Sequence, residues 1–242
     1  MFENAIKVNE FNPSRSGIFF NAAYIIRRTI SEALRTNAAF LKGKVLDYGC
    51  GSRPYEHFFT EATQYIGGDI ESGGHPADRK KADIYFEEMK VPLPDGELDG
   101  VLASEVLEHL FDLPGCLHEF HRLLKPGGRV LVTCPFVWPL HEQPYDFARY
   151  TSYALKSEFE KAGFRLVKQE RLGTPIEVLG QMYLADLLPE FSLVRKIPVL
   201  RTFVPMLVLG GISGFCRLGA RFSDLKRERK LYLTNLVLAE KI

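Results

Sequence analysis

The chain predicts an α/β fold, a mostly parallel sheet with helices on both faces. Short apolar, partly β-branched runs alternate with stretches patterned at helical spacing. The run Lys44-Val45-Leu46-Asp47-Tyr48-Gly49-Cys50-Gly51 passes from strand into a tight glycine turn, and helix-capable residues follow at Ser52-Arg53-Pro54-Tyr55. The next apolar run, 65–70, closes on Asp69 and Ile70. Acids at strand ends matter because open α/β sheets bind ligands at the carboxyl ends of their strands.

Each element has its own signal. Residues 1–16 form an irregular arm, and Phe20, Tyr24, Ile25, Thr29 and Leu34 give helical spacing over 17–40. Strands are expected at about 44–50, 65–70, 82–86, 98–103, 129–135, 164–171 and 232–240. Helices are expected at about 54–61, at 105–110 where a helical stretch begins, at 113–124 and at 151–162. Lys125-Pro126-Gly127-Gly128 ends one helix. Thr151 caps the next, and Gly163 is its left-handed stop.

Bulk properties narrow the class. The 242 residues suit one large domain, and 46% hydrophobic and 25% charged residues are ordinary for a globular chain. A net charge of +1 does not suggest a dedicated nucleic-acid binder, and no nucleic acid is expected as a partner. Cys50 and Cys134 lie in strand-like runs and read as reduced core residues, which points to the cytoplasm. The polar N-terminus carries no apolar segment of the signal-peptide kind.

The glycine turn has two readings. A nicotinamide-binding turn needs a third glycine at position 54 for close packing around a pyrophosphate, and position 54 is proline. The other reading rests on Asp47-x-Gly49-x-Gly51. This resembles motif I of the class I S-adenosylmethionine (SAM) dependent methyltransferases. Leu98-Asp99-Gly100-Val101-Leu102-Ala103-Ser104-Glu105-Val106-Leu107-Glu108-His109 and Leu123-Leu124-Lys125-Pro126-Gly127-Gly128 carry the same resemblance.

The resemblance implies a Rossmann-like seven-stranded sheet of order 3-2-1-4-5-7-6 with strand 7 antiparallel. It covers about 44–172 and the last strand. The chain is then one domain over 1–242, with 1–43 as arm and helix and 173–230 as a helical insertion between strands 6 and 7. It also implies SAM as cofactor. Gly49, Cys50 and Gly51 would lie against its methionine part, with Asp47 accepting from the amino group or fixing the turn. Asp69 would hold ribose hydroxyls and Asp83 the adenine amino group, with Ile70, Ile84 and Ser104 beside them. A helix N-terminus after Gly51 is expected too, offering free N–H groups to an anion.

Two stretches carry the chemistry. Glu105, Glu108 and His109 fall at i, i+3 and i+4, one face of a helix. They either cap and orient that helix or hold a divalent cation. The segment resembles the Glu-x-x-Glu-His of small-RNA 2′-O-methyltransferases and ubiquinone-pathway O-methyltransferases, which implies a metal set of Glu105, Glu108, His109 and His141. The second stretch is His141-Glu142-Gln143-Pro144-Tyr145-Asp146-Phe147-Ala148-Arg149-Tyr150-Thr151. It is similar to a segment of methyltransferases in polysaccharide and cell-surface glycan pathways. His141 reads as general base, because its ordinary pKa lies near the working pH. His109 and Glu105 complete the catalytic set. Tyr145 and Tyr150 can stack on a sugar face, and Arg149 can meet a substrate phosphate or pair with Asp146.

Residues 191–230 hold nine Lys or Arg and two acids. Within them 197–220 is apolar but broken by Pro198, Pro205 and glycines, too broken for a spanning helix. It is expected to lie on an anionic membrane surface through Phe203, Leu207, Leu209, Ile212 and Phe215, to cover the acceptor site, or to form a homodimer contact. The functional expectation is O-methylation of a glycan, sugar nucleotide or lipid-linked saccharide in the cytoplasm or at the inner membrane face. The alternatives are a small-molecule methyltransferase, on a quinone precursor or another metabolite, and a SAM-binding partner subunit without turnover.

Overall fold

A computed structural model describes residues 11–71, 80–87, 89–187, 198–223 and 229–242, with the backbone alone at 187 and 198–203. The chain divides into two compact units. One comprises 33–136, 140–171 and 234–242; the other comprises 1–32, 137–139 and 172–233.

The first unit holds the sheet. Its strands are β1 (Gly43–Tyr48), β2 (Ala62–Ile70), β3 (Ile84–Phe86), β4 (Leu98–Ser104), β5 (Leu124–Pro135), β6 (Phe164–Leu172) and β7 (Thr234–Lys241). The order is β3-β2-β1-β4-β5-β7-β6, with β7 antiparallel to β5 and the β3-to-β5 pairs parallel. This is the expected Rossmann-like sheet. Register places Leu46, Val101, Val130 and Ala239 side by side on one face. Leu117 and Phe120 of α2 (Leu113–Leu123) and Leu155 and Phe159 of α3 (Ser152–Lys161) complete that core. Each such side chain contributes about 1.5–3 kcal/mol by leaving water. Alternate residues Val45, Leu102, Leu131 and Leu238 are equally buried on the opposite face, as strands covered on both sides require.

Caps follow the sequence. Asp112 accepts from the Gly115 N–H at the start of α2, and Thr151 accepts from Ala154 at the start of α3. Gly163 takes φ 86° after α3. All four cysteines are free and buried.

Several elements differ from expectation. The helix over 17–40 is split into a 3-10 turn, Arg15–Phe19, and α1, Tyr24–Asn37, because Asn21 folds back to accept from the Ala23 N–H. The helix at 54–61 is a single 3-10 turn, Glu56–Phe58. Sheet pairing already claims Glu61 and Ala62 against Gly43, leaving too few residues for a helix. No helix N-terminus therefore stands behind Gly51. Strand β5 starts at Leu124 instead of 129, with an irregular register between Leu98 and Gly100 opposite the Pro-Gly-Gly segment.

The second unit is helical. Thr174 and Glu177 form a reciprocal capping box at the start of α4 (Pro175–Met182). A long helix, α5 (Pro198–Arg221), packs against α4, where Gly180 and Cys216 meet. Arg217 pairs with Glu32 at 3.1 Å. Leu209 is buried and Ile212 half-buried, so these two expected membrane-facing residues point inward; the Phe203 side chain lies outside the described residues. Among the described residues no helix is long and apolar enough to cross a membrane.

Candidate active site

The carboxyl ends of β1, β2 and β4 meet at the glycine turn. Gly49 and Gly51 take φ 72° and 48°, a region costly for a side chain. The Gly49 and Cys50 N–H groups both donate to the Gly68 carbonyl, at 2.8 and 3.0 Å. Val106 lies so close to Gly49 that a β-carbon there would stand 2.6 Å from its methyl. The Gly51 N–H donates to Asp69 at 2.9 Å, and Lys80 stands 3.5 Å from the other Asp69 oxygen. These bonds bind the turn to Asp69 at the end of β2.

Asp47 is buried and accepts from the Tyr65 hydroxyl at 2.8 Å. Burial pushes its carboxyl up to about 7, against the pull of Tyr65 and Arg53. Burial also pushes the Cys50 thiol up to about 12, so Cys50 is no nucleophile. Ser104 shares a hydrogen bond with Thr133 at 2.9 Å. Ile70 is exposed, and Ile84 is half-buried against the core.

Asp83 is less free than expected. It forms an ion pair with Arg53 and accepts from the Gly67 N–H at 2.9 Å. Arg53 itself takes φ 55° and lies across Gly67. Sequence reasoning passed over Arg53, since its partner lies thirty residues away with no local signal.

Beyond β4 the expected helical stretch is a 3-10 turn, Leu107–His109. Its cause is tertiary. The Phe147 and Ala148 N–H groups both donate to the Glu108 carbonyl, at 2.9 and 3.2 Å, taking the acceptor a continuing helix would use. Glu105 takes φ 55° and does not share a helix face with Glu108 and His109. Its carboxylate accepts from Thr234 at 3.0 Å.

Glu108, His109 and His141 do come together, each offering an oxygen or nitrogen within 4.8 Å of the others. Glu108 is fully buried, and neither carboxylate oxygen has a hydrogen-bond partner. Burial first, then the nearby Glu105 charge, raises its pKa well above the usual carboxylate range. His109 Nδ1 lies 2.8 Å from the Tyr145 carbonyl. A carbonyl only accepts, so Nδ1 donates to it and Nε2 is the ring nitrogen turned to Glu108, at 3.7 Å.

The 141 loop supplies the rest. Asp146 accepts from the His141 backbone N–H and Nδ1, at 3.0 and 3.1 Å, and holds Arg149 bidentately. Burial alone would raise the Asp146 pKa, but Arg149 and His141 lower it to about 2. As a fixed carboxylate it keeps the His141 proton on Nδ1 and leaves Nε2 open. Burial and the adjacent His109 ring lower the His141 pKa, which keeps the imidazole neutral. Arg149 is committed to Asp146. Tyr150 packs against the core, whereas Tyr145 and Phe147 are about half exposed and Phe111 is 87% exposed. Phe111 and Phe147 stand edge to face at 5.7 Å.

This donor set suits a divalent cation better through three ligands than four. A buried carboxyl without a hydrogen-bond partner and two imidazole nitrogens converge, each imidazole anchored by an acceptor through Nδ1, while Glu105 is turned to Thr234.

Comparison with known proteins agrees with the sheet. A family model described as a methyltransferase domain matches residues 21–169. A malonyl-[acyl-carrier protein] O-methyltransferase of Serratia marcescens is 28% identical over 124 residues, covering 49% of each chain. A ubiquinone/menaquinone biosynthesis C-methyltransferase of Caulobacter sp. is 26% identical over 150 residues, covering 62% of this chain and 51% of that one. The chain thus spans about half the length of these curated relatives. A solved SAM-dependent methyltransferase from Mesorhizobium loti superposes with a TM-score of 0.51 at 15% identity, covering 93% of this chain and all of its own. With the family model spanning more than half its length, this chain belongs to the methyltransferase domain family.

Proposed function

We propose that this chain is a SAM-dependent methyltransferase that methylates a hydroxyl oxygen of a glycan, sugar nucleotide or lipid-linked saccharide. The relatives' names include both an O- and a C-methyltransferase, so family membership leaves the acceptor open. The observation that carries oxygen is the cluster of Glu108, His109 and His141 beyond the strand ends. A hydroxyl must lose its proton as it is methylated, and these residues can take it. The exposed rings of Tyr145, Phe147 and Phe111 beside them support a saccharide, whose apolar faces stack on aromatics.

SAM, when bound, supplies an electrophilic methyl group on a cationic sulfur. The chain does the rest. Gly49 and Gly51 admit the ligand to the backbone, and Asp69 and Asp47 offer acceptors to its hydroxyls and ammonium. His141, neutral and with Nε2 unencumbered, removes the acceptor proton.

A second reading is favoured by the unpaired, buried Glu108 carboxylate. There Glu108, His109 and His141 would hold a divalent cation, and the chemistry it would supply is Lewis-acid lowering of a hydroxyl's pKa. Mixed imidazole and carboxylate ligands suit Mn²⁺, Fe²⁺ or Zn²⁺ better than Mg²⁺.

The test is S-adenosylhomocysteine formation with saccharide acceptors, sugar nucleotides and quinol precursors, with and without a chelator. Turnover on a saccharide hydroxyl is expected. Turnover on a quinol alone would move the proposal to the small-molecule alternative, and SAM binding without turnover on any acceptor would favour a non-catalytic subunit. Loss with chelator and recovery with Mn²⁺ select the cation reading.

A further inference from the structure

Helix α5 of the helical unit is built inside out at its surface. Its inward stripe is Leu209, Ser213 and Cys216, all buried. A surface helix ordinarily turns polar residues to water on the opposite side. Here that side carries Leu207, Phe215 and Leu218, at 65%, 67% and 53% exposure, and Phe222, in the turn just past the helix end, is 84% exposed. Offsets of eight and three residues keep Leu207, Phe215 and Leu218 within one face, a stripe about 16 Å long at 1.5 Å per residue. Arg217 and Arg221 flank this stripe along one edge. Together with Glu177, Gly214, Leu218 and Ala220 they line an open cleft of about 350 Å³.

We propose that this face of α5 is a docking surface for an anionic lipid bilayer, the apolar stripe entering the interface and the basic edge meeting phosphate headgroups. Charge decides between this occupant and a second copy of the chain. Residues 191–230 carry nine Lys or Arg against two acids. An isologous dimer through the stripe would bring Arg221 against the same charge of the other copy, whereas Arg217 is already paired with Glu32. An anionic surface neutralises the Arg221 charge. The helix lies on the bilayer and does not cross it, as its interrupted apolar run requires.

The experiment is vesicle flotation of the full chain, with phosphatidylglycerol–phosphatidylcholine vesicles compared with phosphatidylcholine alone, at low and high salt. The protein is expected to float with the anionic vesicles and to be released in part as salt rises, the apolar contact supplying the salt-resistant remainder. Arg221→Glu should reduce the bound fraction about fivefold or more. Phe215→Ser combined with Phe222→Ser should reduce it on the order of tenfold. Both changes lie on exposed positions, and an unchanged thermal melt checks that the unit stays folded. Three results would overturn the proposal: protein at the bottom of every gradient, equal flotation with neutral vesicles, or a dimer in sedimentation that the double serine variant dissociates.

Discussion

Asp146 grips His141 twice: one carboxylate oxygen accepts both the backbone N–H, at 3.0 Å, and the ring Nδ1, at 3.1 Å. Arg149 donates to both oxygens of the same carboxylate. The arrangement sets the imidazole's tautomer and its aim together. Asp146→Asn should therefore lower turnover about 10–100-fold while SAM affinity stays within a factor of about two. Steady-state kinetics beside calorimetry check this. An Asp146→Asn enzyme at full rate would detach Asp146 from the chemistry.

His141→Ala removes the group that Asp146 positions. Turnover should fall by about 10²–10⁴, again with little change in SAM binding. A full-rate His141→Ala variant would assign the proton to another acceptor.

Glu105 and Glu108 should separate. Glu108 is buried with both oxygens unpaired, whereas Glu105 is bonded to Thr234. If a cation is held, Glu108→Gln should abolish Mn²⁺ binding by calorimetry, and Glu105→Gln should leave most of it. Equal loss in both variants would restore a four-ligand set.

Much of this was legible beforehand. The glycine turn could be read because a left-handed backbone restricts residue choice, and Asp69 because its place at a strand end carries its own chemistry. The 141 loop announced itself by packing His141, Asp146 and Arg149 within nine residues. The geometry around Glu108 was not legible. Periodicity saw a helix over 105–110, but its acceptor carbonyl is taken by Phe147 and Ala148, nearly forty residues on. Arg53 escaped for the same reason, its meaning lying in Asp83. In α5 the apolar composition was visible, but which residues face out depended on its packing against α4.

Asp47 gives a pH signature. Its folded pKa is raised to about 7 from the ordinary 3.8, so the folded state binds a proton the unfolded state has released. Stability from this group is fully present below about pH 4 and is lost as pH rises through about 7. The loss is at most about 4 kcal/mol, taking 1.36 kcal/mol for each pKa unit. Asp47→Asn should flatten the pH dependence of unfolding in the ligand-free protein across that window, measured by denaturant titration. An unchanged slope between pH 4 and 7 would mean that Asp47 is ionised in the fold.

The most direct test is calorimetric titration of the purified chain with SAM, with NAD as the comparison. The expected result is saturable binding of SAM at one site and none of NAD. In Asp69→Ala the affinity should drop by about 1.5–3 kcal/mol, roughly 10–100-fold. Absence of SAM binding to the wild-type chain, or equal affinity in Asp69→Ala, would contradict the site assigned to the turn between β1 and β2.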